Sequence, residues 1–256
     1  MNGMRFFLVF ICMGFYAYSQ GQESKLENFI FYSESLEEMR ELTVYFPVNF
    51  NSDSSYKVVF CADGQFINEQ YKNKLDSVYR AKRISPFVII GVHSNEKETS
   101  NPYFTYRYFE YIENEKSDDP DLNSRFGKHL IFFVNEVDRY VKEELKLKMN
   151  SKYFYGVSNG AGFGVSVSKY YPEIFSMYIL YSMAGGNYKN LKWNTTKYPF
   201  FIIKCGNEEP EQFIEYSKKI SKYLSKKQYK HLFEIYNGGH KREDWLNLFI
   251  EDIKNL

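Results

Sequence analysis

The chain has 256 residues, of which 44% are hydrophobic and 20% aromatic, and its 33 basic and 32 acidic residues give a net charge of +1. This length suits one α/β domain with a sizeable core. The even charge balance gives no reason to expect nucleic acid or an anionic membrane as a partner. Its three cysteines are too few for a disulfide scaffold, and no Cys/His group has the spacing of a zinc site, so we expect no metal.

The N-terminal segment has the pattern of a cleaved export signal. Arg5 supplies a positive charge, residues 6–16 form a short apolar core, and Ala17-Tyr18-Ser19 offers small residues at a cleavage site. The apolar run is too short to span a bilayer as a helix. We therefore predict a signal peptide over residues 1–20, a mature domain over residues 23–256, and a protein that is exported to the periplasm or secreted.

Strands and helices alternate along the mature chain. Apolar runs rich in β-branched and aromatic residues are separated by stretches with helical spacing. The predicted strands cover residues 29–33, 42–47, 56–62, 87–92, 153–155, 177–182, 199–205 and 232–236, and the predicted helices cover 69–83, 129–145, 214–224 and 245–253, with one more after residue 160. This alternation predicts an α/β fold with a mostly parallel central sheet, helices on both faces and an antiparallel N-terminal edge. The two cysteines of the mature chain, Cys61 and Cys205, end core strands and are expected to be buried free thiols.

The longest stretch without clear periodicity covers residues 95–126. It is dense in tyrosine and phenylalanine, and long loops in compact domains are often functional. We predict that Tyr106 and Tyr108 contribute to a substrate-binding wall, although a chain with 24 tyrosines and 24 phenylalanines can also use such rings as core. Arg107 and Glu110 are predicted to form a structural ion pair that pins this loop.

The most informative motif is Gly-x-Ser-x-Gly at residues 156–160. It follows a predicted strand and precedes small residues with helical spacing, which is the layout of a nucleophile elbow. Such a turn exposes the hydroxyl of Ser158 at the N-terminus of a helix, where developing negative charge is stabilised. The backbone N–H of Asn159, next in the chain, is predicted to donate to the oxyanion.

Two further strands end in groups that could complete a catalytic triad. The strand at 199–205 leads into Glu208 and Glu209, and the last strand leads into Asn-Gly-Gly before His240. The order nucleophile, acid, histidine is that of α/β-hydrolases. His240 would take the Ser158 proton, and a carboxylate of this turn would hold the other ring nitrogen.

From about residue 42 onward the chain resembles the putative-esterase branch of the α/β-hydrolases, which includes enterochelin-type, esterase D-like and feruloyl esterases. Segments 40–47, 58–65, 86–92, 107–111, 155–160, 206–210 and 239–240 carry this resemblance. The sequence departs from the family pattern in Ala161, where a second glycine is usual, and in having glutamate rather than aspartate as the acid.

The resemblance implies an α/β-hydrolase fold and a carboxylic ester hydrolase that works through an acyl-enzyme. It implies Glu209 as the acid, three residues after Gly206, with Glu208 as the alternative, and it points to Gln65 for the second backbone N–H of the oxyanion hole. No cofactor is implied. The expected substrate is a small-molecule or glycan ester. Acyl transfer on the same triad, and a non-catalytic binding protein on a hydrolase scaffold, are the alternative functions.

Overall fold

The computed structural model describes residues 22–81, 83–191, 193 and 198–254, so the predicted signal peptide lies outside the described residues. Eight strands form a single sheet within these ranges. They are β1 (Lys25–Ser33), β2 (Glu38–Phe46), β3 (Ser55–Ala62), β4 (Phe87–Val92), β5 (Lys148–Val157), β6 (Met177–Tyr181), β7 (Phe200–Gly206) and β8 (His231–Tyr236).

The sheet is mostly parallel, as predicted. Its strand order is β1-β2-β4-β3-β5-β6-β7-β8. β1 pairs antiparallel with β2, and β2 pairs antiparallel with β4, whereas all later neighbours are parallel. The expected antiparallel N-terminal edge is therefore present, and the carboxyl ends of β3, β5, β6, β7 and β8 lie at one edge of the sheet. Ligands of open α/β sheets bind at that edge.

Helices cover both faces of the sheet. They are α1 (Glu69–Arg80), α2 (Tyr106–Tyr111), α3 (Pro120–Ile131), α4 (Val137–Glu143), α5 (Asn159–Tyr170), α6 (Glu211–Lys226) and α7 (Arg242–Ile253). One face packs against α1 and α7 and includes Val59, Tyr155 and Ile179. The other face packs against α3, α4, α5 and α6 and includes Val58, Phe154 and Leu180. Successive strand residues thus enter opposite cores, as a sheet buried on both faces requires.

The segment between β4 and β5 differs most from the sequence prediction. The stretch at 95–126, expected to be aperiodic, contains α2 and the beginning of α3. The helix predicted over 129–145 starts earlier, at Pro120, and a π-helical turn at Phe132–Glu136 joins α3 to α4. Asp119 caps α3, because its side chain accepts a hydrogen bond from the backbone N–H of Asp121 at 3.0 Å.

Both described cysteines are buried free thiols, as predicted. Cys61 lies on β3 and Cys205 on β7, and β5 and β6 separate these strands. Burial raises the pKa of the Cys61 thiol well above its usual range. None of the helices in the described ranges combines the length and apolar character needed to cross a bilayer.

Candidate active site

Ser158 lies at the tight turn between β5 and α5. Its backbone has φ 52° and ψ −126°, a strained conformation for a residue with a side chain. Hydrogen bonds fix this conformation from both sides. The Ser158 N–H donates to the carbonyl of Tyr181 at 3.0 Å, and its carbonyl accepts from the N–H of Ala184 at 3.1 Å. The end of β6 and the loop after it therefore hold the turn, which has the strand–turn–helix layout of a nucleophile elbow.

The two glycines of the motif lie where side chains do not fit. A Cβ atom on Gly156 would approach the carbonyl oxygen of Gly160 to 2.5 Å, and one on Gly160 would lie 3.1 Å from both Ala62 and the carboxylate of Asp63. The atoms that a Cβ on Gly156 would meet belong to the backbone of α5, so a side chain at this residue would force the turn open. The glycine spacing read from the sequence thus has a steric cause in the structure.

His240 follows β8 and points its Nδ1 atom toward the turn after β7. Nδ1 lies 3.0 Å from Oε2 of Glu209. The imidazole ring stacks on Phe213 with 5.1 Å between centroids and meets Trp245 edge to face at 4.7 Å. These contacts hold the ring plane. Of the two predicted carboxylates, the structure brings Glu209 to His240, whereas Glu208 is exposed.

Glu209 is buried, and three groups besides His240 donate to its carboxylate. The Ser182 hydroxyl lies 2.5 Å from Oε1, the Gly206 N–H 2.8 Å and the Tyr236 hydroxyl 3.2 Å. Burial alone would raise the pKa of Glu209, but the hydrogen bonds from His240, Ser182 and Gly206 lower it below its ordinary value of 4.5. The carboxylate is therefore charged at neutral pH and can stabilise a protonated imidazole.

Sequence reasoning missed Ser182 and Trp245. Ser182 is completely buried, follows β6 and has φ 51°. The indole N–H of Trp245 donates to its hydroxyl at 2.6 Å, and that hydroxyl in turn donates to Glu209. The available signals were weak: a serine after a strand, and a tryptophan five residues beyond the candidate histidine on a predicted helix.

A cavity of about 360 Å³ opens above Ser158 and His240. Its other lining residues are Asp63, Phe66, Glu96, Arg107, Val157, Arg242 and Trp245.

Arg107 and Glu110 do not form the predicted ion pair with each other. Arg107 makes a bidentate contact with Asp63, at 2.6 Å from Nε and 2.7 Å from Nη2. Glu110 instead accepts from Arg40 at 2.5 Å and from Arg125 at 2.8 Å. The prediction of partners was wrong because it considered only neighbours in sequence, whereas each side chain finds its partner on a distant element.

The two residues predicted for the oxyanion hole both lie in the first turn of a helix. Asn159 is the first residue of α5, and Gln65 lies in the 3₁₀ turn Gly64–Phe66 that follows β3. Backbone N–H groups at such positions lack partners within their own helix and can donate to an anion. The side chain of Gln65 has other partners: its Nε2 donates to the Ser94 hydroxyl at 2.6 Å and to the Glu96 carboxylate at 3.1 Å.

Tyr106 and Tyr108 are not among the residues that line the serine cavity. The Tyr106 ring packs under Arg125 and Lys97, at 4.6 and 4.7 Å from their cationic groups. Tyr108 packs against Phe104 with 4.4 Å between centroids and the rings tilted by 31°, and it lines a different depression. The expectation that these rings form a wall beside the serine is therefore not met, because α2 directs Arg107 rather than its tyrosines toward the cavity.

Within the described ranges, no three histidine, cysteine or acidic side chains are grouped as metal ligands would be.

Comparison with known proteins gives a family and a fold. The family model described as "Putative esterase" matches residues 33–202. A protein of Bacillus subtilis, the uncharacterized YjcH, is 23% identical over 243 residues, which cover 88% of this chain and 95% of that protein. A ferulic acid esterase of Anaeromyces mucronatus, solved with ferulic acid, has a TM-score of 0.69 at 13% identity and covers 92% of both chains. A siderophore hydrolase of Aspergillus nidulans has a TM-score of 0.67 at 15% identity, over 90% of this chain and 94% of that one.

The structural neighbours confirm the predicted α/β-hydrolase fold. The family model covers more than half of the chain and includes the elbow with Ser158. The chain therefore belongs to the "Putative esterase" family and is a carboxylic ester hydrolase.

Proposed function

We propose that this protein cleaves carboxylic esters through a Ser158–His240–Glu209 triad and an acyl-enzyme. One observation carries the proposal: Ser158 and His240 line the same cavity while the far nitrogen of His240 lies 3.0 Å from a buried carboxylate. The family match ends at residue 202. The roles of His240 and Glu209 therefore rest on geometry and not on the matched segment.

In the proposed first step, the Ser158 hydroxyl attacks the ester carbonyl while Nε2 of His240 accepts its proton. Glu209 keeps the proton of the imidazole on Nδ1, so that Nε2 is the free base, and its negative charge stabilises the imidazolium that forms. The oxyanion of the tetrahedral intermediate would accept hydrogen bonds from the backbone N–H groups of Asn159 and Gln65, and the helix dipole of α5 adds to this stabilisation.

The imidazolium then donates its proton to the departing alcohol, which leaves Ser158 acylated. Water then attacks the acyl-enzyme while His240 takes its proton. The imidazolium returns that proton to Oγ of Ser158 as the acyl–oxygen bond breaks, and the acid is released. No cofactor takes part in this scheme, because the serine supplies the nucleophile and the histidine supplies proton transfer in both halves.

We also propose that the substrate is a small-molecule or glycan ester met outside the cytoplasm. The support for export is the signal-like pattern of residues 1–20. The open cavity supports a substrate with some bulk, and the named activities of the neighbours, a ferulic acid esterase and a siderophore hydrolase, belong to esters of this kind. Expression of the full chain, followed by fractionation and N-terminal sequencing, tests export. An uncleaved N-terminus on cytoplasmic protein would contradict it.

The catalytic proposal is tested with p-nitrophenyl esters of graded acyl length. We expect turnover by the mature protein and a loss of several orders of magnitude in kcat for Ser158→Ala, with an unchanged circular dichroism spectrum. Release of free acid in step with the nitrophenolate would distinguish hydrolysis from acyl transfer.

A sulfonyl fluoride should label Ser158 in peptide mapping, since only an activated hydroxyl reacts readily. Wild-type turnover by Ser158→Ala would overturn the triad.

A further inference from the structure

The cavity above Ser158 contains an arginine that the mechanism does not use. Arg242 is the first residue of α7 and lies two positions after His240. Its guanidinium lies over the ring of Phe66, 3.4 Å from the ring centroid, and both side chains line the cavity. A guanidinium stacked on an aromatic face is held in orientation while its edge N–H groups stay free to donate.

The two arginines of this cavity differ in their partners. Arg107 makes its bidentate contact with Asp63 and also lies near Glu96. Although burial alone would lower the pKa of Arg107, the hydrogen bond and charge of Asp63, and the charge of Glu96, raise it. In the part of the chain that the structure describes, no carboxylate forms an ion pair with Arg242, whose contact is the Phe66 ring. The charge of Arg107 is thus balanced within the protein, and that of Arg242 is not.

The position of Arg242 does not serve the stability of its helix. A cation in the first turn of a helix interacts unfavourably with the helix dipole, which favours anions there. The first turn of α7 also contains Glu243 and Asp244, whose charges suit the dipole, but neither carboxylate forms an ion pair with Arg242 among the described residues. A negative group that enters the cavity would therefore meet the guanidinium of Arg242.

We propose that Arg242, supported by Phe66, is a specificity-determining subsite that selects esters bearing a carboxylate. This inference rests on the proposed function and adds a substrate class to it. Glu96 also lines the cavity, but its carboxylate accepts from Ser94 at 2.8 Å and from Gln65 at 3.1 Å and lies on the side of Arg107. A substrate carboxylate would therefore pair with Arg242, with the ester carbonyl over Ser158.

The test compares esters that differ in charge but hardly in size. On the acyl side the pair is mono-p-nitrophenyl glutarate and p-nitrophenyl valerate, and on the alcohol side it is p-acetoxybenzoate and p-acetoxybenzamide. The quantity measured is the ratio of kcat/KM for the anionic ester to kcat/KM for its neutral partner. We expect Arg242→Gln to lower this ratio about tenfold for at least one pair, as the loss of a charge-assisted hydrogen bond implies. Added salt should lower the wild-type ratio, because Arg242 is exposed, and should leave the variant's ratio unchanged.

Two further variants separate charge from general effects. Arg242→Lys keeps the positive charge but lacks the planar guanidinium that lies over Phe66, and it should keep part of the preference for the anionic ester. Arg139→Gln removes another exposed arginine, which lies on α4, and should keep the wild-type ratio. Hydrolysis of both ester pairs with ratios that Arg242→Gln does not change would overturn the subsite and leave the triad standing. Failure of the wild-type protein to hydrolyse any of the four esters would overturn the proposed function and the subsite with it.

Discussion

Two buried glutamates illustrate how differently the same side chain is used in this fold. Glu110 is completely buried on α2 and is surrounded by the arginines Arg40 and Arg125. Glu209 is buried after β7, and its donors are two neutral hydroxyls, a backbone N–H and His240. Both carboxylates have lowered pKa values, but Glu110 has its charge neutralised by fixed cations, and Glu209 does not.

This difference separates a structural carboxylate from one suited to catalysis. Burial alone would raise the pKa of Glu110, yet the nearby His129, the charges of Arg40 and Arg125 and the hydrogen bond from Arg40 lower it to about 2. A carboxylate so neutralised can do little for a distant charge. Glu209 is kept ionised by neutral donors, and the one partner that can become positive is His240. Its full charge is therefore available when the imidazole takes a proton.

The largest effect should come from removing the charge of Glu209. We expect Glu209→Gln to lower kcat about 10³- to 10⁴-fold, because an amide can hold His240 in the wrong tautomer and cannot stabilise its charged form. Glu208→Gln, the same change in the exposed neighbouring residue, is the matched control and should retain near wild-type kcat in the ester assay. A larger loss in the control than in Glu209→Gln would move the role to Glu208.

The corresponding change in the structural glutamate should act on stability instead. Glu110→Gln removes the buried carboxylate that pairs with Arg40 and Arg125, and these arginines keep only the partly exposed Glu38 as a counter-ion. Removing one partner of a buried ion pair typically costs about 3–5 kcal/mol in the free energy of unfolding. Urea unfolding measures this loss, with exposed Glu143→Gln as control. The kcat of the folded variant should fall far less than in Glu209→Gln. Loss of activity without loss of stability would contradict the distinction between the two carboxylates.

The sequence predicted the strands and turns that lead to Ser158, Glu209 and His240 better than it predicted the helices around Glu110. A nucleophile elbow needs a local pattern, and parallel strands bring their carboxyl ends to one edge, so chain order predicted that Ser158, His240 and a carboxylate of the turn at 208–209 lie at that edge. The choice of Glu209 over Glu208 came from the family resemblance. The role of Ser182 could not be predicted in this way. It depends on β6 lying between β5, which leads to Ser158, and β7, which leads to Glu209, and on a left-handed backbone at φ 51°.

The region around Glu110 was hidden from pattern reasoning by its charges. The buried face of α3 includes Arg125 and His129, so its helical period cannot be recognised from apolar residues. α2 has only six residues, too few for a periodic signal. Ion pairs between distant elements replace apolar contacts here, and their partners are set by tertiary structure and not by spacing.

The Glu110 region should also control stability at mildly acidic pH. Burial, with the nearby charges of Arg40 and Arg125, lowers the pKa of His129 from 6.5 to about 3, although Glu110 opposes this shift. The unfolded chain therefore binds a proton below about pH 6.5 that the folded protein binds only near pH 3. Stability should fall on acidification through this window by up to about 1.4 kcal/mol per pH unit.

Replacing the histidine tests this origin. The ring of His129 contacts Tyr111 and Phe163, and neither ring nitrogen has a hydrogen-bond partner among the described residues, although Nδ1 lies 3.6 Å from Oε2 of Glu110. His129→Phe therefore keeps the aromatic contacts and removes the titrating group. The free energy of unfolding, measured with urea between pH 6.5 and 5, should depend less on pH in this variant than in the wild-type protein. Below pH 4.5 the loss should return, because Glu110, with its lowered pKa, contributes stability only while its carboxylate is charged. If the pH dependence of the free energy of unfolding above pH 5 is the same in both proteins, groups other than His129 cause it.

The smallest effect should come from Ser182, which acts on the chemistry only through Glu209. Ser182→Ala removes the hydroxyl that accepts from Trp245 at 2.6 Å and donates to Glu209 at 2.5 Å. The carboxylate keeps His240, the Gly206 N–H and the Tyr236 hydroxyl, so we expect a loss of about tenfold in kcat, equal to one hydrogen bond's contribution. Ser166→Ala is the matched control, since Ser166 is as buried and its hydroxyl has no hydrogen-bond partner among the described residues. If Ser182 positions Glu209, then Ser182→Ala should lower kcat little further in the Glu209→Gln background. Additive losses in the double variant would show instead that Ser182 supports the fold around β6 and that Glu209 is held without it.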